Sequence, residues 1–62
     1  MTKTSPARER FLLTTFAHST RAVENFHALI ELATRIVEAE AVGFKLDPES
    51  VETAVKTVLG VD

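Results

Sequence analysis

If each residue is advanced by 100° around a helix axis, Phe11, Leu12, Thr15, Phe16, Ser19, Ala22, Val23, Phe26, Leu29, Ile30, Ala33, Ile36 and Val37 all fall within roughly 80° of one line. The pattern predicts a single helix over residues 6–42 with an apolar, coiled-coil-like seam along its whole length. Arg8 and Glu40 lie on the same line, one beyond each end of the apolar run, where neither charge is tolerable unpaired in a dry interface. An antiparallel second copy pairs them. In that register facing residue numbers sum to about 48, so that Arg8 meets Glu40, Arg10 meets Glu38, Phe11 meets Val37, Leu12 meets Ile36 and Ala22 meets Phe26.

A chain of 62 residues makes one domain at most, near the size at which a single copy struggles to bury enough surface. There is no cysteine, so neither a disulfide nor a thiolate metal site staples the fold, and oligomerisation is the remaining device. The charged start MTKTSPARER lacks the apolar core of a secretory signal, and the absence of bridges suits a reducing compartment, so the expected location is cytoplasmic. No apolar run approaches the roughly 20 residues needed to span a bilayer. The net charge of −2 is divided unevenly, with four bases against one acid in residues 1–21 and three bases against eight acids beyond. Arg8 and Arg10 near the start of the long helix, and Glu38 and Glu40 near its end, all oppose the helix dipole. Compensation from a partner in trans is expected.

Local signals set the element boundaries. Nothing orders residues 1–5 apart from Ser5, which with Pro6 reads as a capping residue followed by a proline in the first turn. Gly43 reads as a left-handed stop, Phe44 and Leu46 as apolar plugs in a 43–47 turn, and Asp47-Pro48-Glu49 as a second helix start. That second helix, 48–59, carries Val51, Ala54, Val55 and Val58 on one side with Leu59 at its edge, and ends at Gly60. One weak stretch, Thr14, Thr15, His18, Ser19 and Thr20, crowds poor helix formers together and offers Ser19 or Thr20 as a fresh cap near 18–20, although the seam keeps its phase through it; a break there would make the chain a three-helix unit and weaken the case for the dimer. The fold class read from these signals is all-α. The architecture is a long helix and a short one forming a helical hairpin, with two copies closing an antiparallel four-helix bundle. In length and layout this resembles the small dimeric two-helix proteins that bind RNA in plasmid copy control. The two share no motif, and no residue role follows from the resemblance.

Little of the sequence carries chemistry. His18 and His27 are nine residues apart, on opposite sides of one helix, so one chain cannot bring both to one site. Glu24-Asn-Phe-His27 has the Glu-x-x-His spacing of di-metal bundles, with Glu31 one turn on. The face Thr20, Glu24, His27, Glu31, Arg35 and Glu38 points away from the seam, however, whereas such ligands must project into a core; surface ladders from Glu31 to Arg35 and from Arg35 to Glu38 explain the same residues. Two helices offer no concave site for a nucleophilic triad, and there is no Gly-rich phosphate loop. Neither a metal, a cofactor nor an enzymatic activity is expected.

The expected function is therefore that of a small non-enzymatic protein-interaction module, a dimeric regulator, adaptor or inhibitor. Its interface with itself is Arg8, Phe11, Leu12, Phe16, Ala22, Val23, Phe26, Leu29, Ile30, Ala33, Ile36, Val37 and Glu40, while Leu13 and Leu32 remain to touch a larger protein. The alternative is nucleic-acid binding through the basic ends, using Lys3, Arg8, Arg10 and Arg21. It has against it the absence of interleaved aromatic residues and an acidic chain overall.

Overall fold

The computed structural model describes residues 5–61, and all of the regular structure in it is helical: α1 (Pro6–Ala17), α2 (Ser19–Glu24), α3 (Phe26–Ala41) and α4 (Pro48–Leu59). The single helix expected over 6–42 is therefore three helices. An unbroken helix of that length measures about 56 Å, whereas the longest dimension of the molecule is 30 Å. The chain turns back at α2, and the start of α1 lies beside the end of α3.

Both joins lie at residues with little preference for the helix interior. His18, at φ −124° and ψ 48°, donates its N–H to the carbonyls of both Thr14 and Thr15, at 3.2 Å each. Asn25, at φ −124° and ψ 28°, divides its N–H between Arg21 and Ala22, and its side-chain amide donates to the Arg21 carbonyl at 2.9 Å. An Asn that bonds local backbone competes with the helical ladder in this way. Neither Ser19 nor Thr20 caps the restart; His18 occupies that position and makes no side-chain cap bond. No glycine or proline lies between Pro6 and Gly43, so neither bend is forced by a helix breaker. Packing favours the bends, because they let one copy bury part of its own seam.

The core joins the two ends of the chain. Ala7 on α1, Ala22 on α2, Leu29 and Ile36 on α3, and Val51, Val55 and Leu59 on α4 are buried, with Phe11, Leu32, Leu46, Val58 and Val61 packed around them. Small residues at Ala7 and Ala22 and the buried Thr14 allow close approach of the helices. Helix α4 packs chiefly on α1, with a lesser contact to α3. It therefore occupies the groove of its own chain, where the sequence led us to expect the groove of a dimer.

The local signals at the helix ends correspond to visible bonds. Ser5 accepts a hydrogen bond from the Arg8 N–H at 3.2 Å, so it belongs to the ordered cap and not to an unstructured tail; residues 1–4 lie outside the described residues. Gly43, at φ 95°, follows α3 with paired bonds from the Gly43 N–H to the Glu40 carbonyl and from the Phe44 N–H to the Ala39 carbonyl, a Schellman stop that needs a left-handed residue. Gly60 repeats the pattern after α4. Asp47 precedes α4 without a side-chain cap bond, and its carboxylate accepts instead from the Ser50 hydroxyl. Of the two expected plugs, Leu46 packs against the core, whereas Phe44 is 68% exposed.

Candidate interaction surface

Folding α1 back along α3 brings the charged ends of the seam together within one chain. The Arg8 Nε donates to Glu40 Oε1 at 2.6 Å, the pairing that the sequence had suggested between two copies. The N-terminal base of α1 thereby lies beside the C-terminal acid of α3, and each relieves the other's unfavourable position against its own helix dipole. The Ser5 hydroxyl and the Arg8 guanidinium hold the Glu40 carboxyl below the usual carboxylate range, against a smaller opposing effect of burial. Arg10 does not meet Glu38. Its guanidinium pairs with Glu52 on α4 at 2.8 Å, and Lys56 approaches the other oxygen of Glu52 at 3.3 Å. These two bases lower the Glu52 carboxyl as well. Nothing in the sequence pattern singles out Glu52, since its partner is set by the docking of α4 on α1.

The residues proposed for a seam between copies are divided by the fold. Ala22, Leu29 and Ile36 are buried in the monomer's own core, and Phe11 and Ala33 are half-buried. Leu12, Phe16, Val23, Phe26, Ile30 and Val37 remain exposed, Phe16 at 73% and Val23 at 75%. On α3, Phe26, Ile30, Ala33 and Val37 follow one helical stripe; on α1, Leu12 and Phe16 are one turn apart and lie next to it. The two stripes meet at an apolar notch of about 200 Å³ lined by Arg8, Phe11, Leu12, Ala33, Ile36 and Val37. Together the six exposed side chains present on the order of 600 Å² of apolar surface, at the upper end of what a monomer's largest patch carries. Of the pair set aside for a larger partner, Leu13 is exposed, but Leu32 packs against the core under α4.

The remaining candidates are dispersed. Of the basic set Lys3, Arg8, Arg10 and Arg21, Lys3 lies outside the described residues, and Arg8 and Arg10 are engaged with carboxylates; Arg21 lies on α2. Among the described residues no three His, Cys, Asp or Glu side chains are grouped so as to hold a metal ion, and the ladders from Glu31 to Arg35 and from Arg35 to Glu38 are not formed. His27 stacks on its neighbour Phe26, with ring centroids 4.4 Å apart. No described helix is long and apolar enough to cross a membrane. No protein family, curated protein or solved structure matches the chain.

Proposed function

We propose that this protein is a small non-enzymatic helical interaction module whose working form is a homodimer, and that it acts as a regulator, adaptor or inhibitor by presenting its helices to larger proteins. The observation that carries the reading is the uncovered ridge of Leu12, Phe16, Val23, Phe26, Ile30 and Val37. Large apolar side chains at these exposures lose hydrophobic stabilisation, at about 25 cal/mol per Å², that a covering partner restores. The ridge approaches the roughly 800 Å² that each partner contributes to an interface of ordinary size. A second copy is the simplest cover, because the seam is complementary to itself in antiparallel register. The pairing of Arg8 and Arg10 with acids offsets the charge of two of the four bases on which the nucleic-acid reading relies.

Sedimentation equilibrium from micromolar to millimolar concentration tests the reading. The expected result is a reversible monomer–dimer equilibrium that Phe16→Glu or Ile30→Glu shifts to monomer with helicity unchanged in circular dichroism. A chain that stays monomeric throughout this range contradicts it, and steeply salt-dependent binding to RNA or DNA in place of self-association would favour the nucleic-acid alternative.

A further inference from the structure

The seam along which α1 and α3 meet within one chain, at Arg8, Leu12, Val37 and Glu40, is the same seam that two chains can close between them. We propose that the protein dimerises by exchanging α1: the bends at His18 and Asn25 straighten, residues 6–41 become one helix, and the α1 of each copy takes the place of α1 in the other. This rests on the homodimer reading above and specifies how the second copy binds. Such an exchange recreates in trans the contacts of α1 with α3 and α4, which is why identical elements swap at low cost.

Four observations point the same way. First, the register is symmetric about residue 24. Arg8 faces Glu40 in the monomer, and Leu12 lies across the notch from Ile36 and Val37, so a two-fold axis through that residue places the same partners opposite one another between chains. Second, the seam residues of α1 and α3 share a single helical phase from Phe11 to Val37 across both bends. A hairpin places no demand on the phase between its two arms, whereas a straight antiparallel pair requires it. Third, nothing in the hinge forbids a helix: it contains neither glycine nor proline. His18 and Asn25 differ from helical angles by about 60° in φ and 70–90° in ψ, and helical hydrogen bonds already bracket both, from the Ala22 N–H to the His18 carbonyl at 2.9 Å and from the Leu29 N–H to the Asn25 carbonyl at 3.1 Å. Hinges of this kind are a few residues that absorb the dihedral change.

The fourth observation is where the exposed apolar surface lies. Phe16, Val23 and Phe26, at 73%, 75% and 52% exposed, flank the bend, where the turning chain leaves them no helix opposite. In the straightened pair they return to the seam, with Phe26 opposite Ala22 of the other copy. The surface that the monomer leaves uncovered is thus largely the surface that the exchange buries. Because α4 packs chiefly on α1, each α4 then rests on the α1 of the other chain, and the Arg10 to Glu52 pair also forms between copies.

The test is a cross-link. The chain has no cysteine, so Arg8→Cys/Glu40→Cys introduces the only two thiols, and a short bis-maleimide joins them where they face each other. The dimer fraction, isolated at high concentration and linked, should run as a covalent dimer under denaturing conditions, and the dilute monomer as a single chain. A dimer whose links are all within one chain overturns the exchange while leaving the homodimer reading intact; the absence of any dimer overturns both. A second arm leaves the charged pair in place: His18→Ala/Asn25→Ala, which favours a straight helix, should strengthen dimerisation tenfold or more, and His18→Gly/Asn25→Gly should weaken it by a similar factor. Equal association by the two hinge variants, each with wild-type helicity, overturns the proposal.

Discussion

At the scale of single residues, the pairing of Arg8 with Glu40 ties the start of α1 to the end of α3, and in the proposed exchange the same pair sets the register between two chains. Charge reversal at Arg8 alone, Arg8→Glu, should lower the melting temperature, and adding Glu40→Arg should recover most of the loss; thermal unfolding of the two variants checks this. The lowered carboxyls of Glu40 and Glu52 give the sign of the acid response. Each binds its proton more weakly folded than unfolded, so the stability it contributes is complete above the ordinary carboxylate value of about 4.5 and is lost as pH falls through the folded value. Melting temperature should therefore be flat from pH 8 to about pH 5.5 and fall below about pH 4.5, with Arg8→Ala/Arg10→Ala showing a shallower fall. Burial separates two kinds of apolar residue. Val55, with none of its surface exposed, loses two packed methyl groups in Val55→Ala, at a cost of about 2 kcal/mol and about 8–16 °C in melting temperature. Phe16→Ala, at a site 73% exposed, should change the melting of the dilute monomer by less than about 0.5 kcal/mol and yet weaken self-association. Calorimetry of each variant at low and high concentration distinguishes the two.

At the scale of elements, the legible features are those whose causes are local. Ser5 with Pro6 starts α1 and Pro48 starts α4, while Gly43 and Gly60 stop α3 and α4, each through a neighbour within a few residues. Val51, Val55 and Leu59 could be assigned to one face of α4 because helical spacing alone determines it. The bend at His18 was legible only as a possible break near 18–20, and the bend at Asn25 was not legible at all. The crowding of Thr14, Thr15, His18, Ser19 and Thr20 marks a weak stretch, but weakness does not bend a helix unless packing elsewhere gains by it. Here the gain is the burial of Ala22, Leu29 and Ile36 against α1 and α4, a tertiary effect that outweighs the phase of the stripe. Asn25 gave no comparable warning, since its amide bond to the Arg21 carbonyl exists only once the chain has turned. For the same reason Glu52 was missed as a partner of Arg10, and Leu32 was placed on the outside.

At the scale of the whole molecule, the sequence carries one complementary seam that has two ways to close. In a single chain it folds back at α2 and leaves much of the seam, Phe16 and Val23 beside the bend most of all, in water; in the proposed exchange it runs straight between two chains and covers them. Which form prevails is then a matter of concentration and of hinge propensity. The pairing of Arg8 with Glu40 was legible from their places on the stripe, whereas its closure in cis was not, because a pattern of facing residues does not say whether they share a chain. Small-angle X-ray scattering over a dilution series tests this most directly. At the dilute limit the particle should have single-chain mass and be compact, close to the Cα radius of gyration of 11.2 Å; as concentration rises it should lengthen toward a particle of twice the mass built on a helix of about 54 Å. A rod of single-chain mass at the lowest concentration, or a compact single chain that never associates, would contradict it.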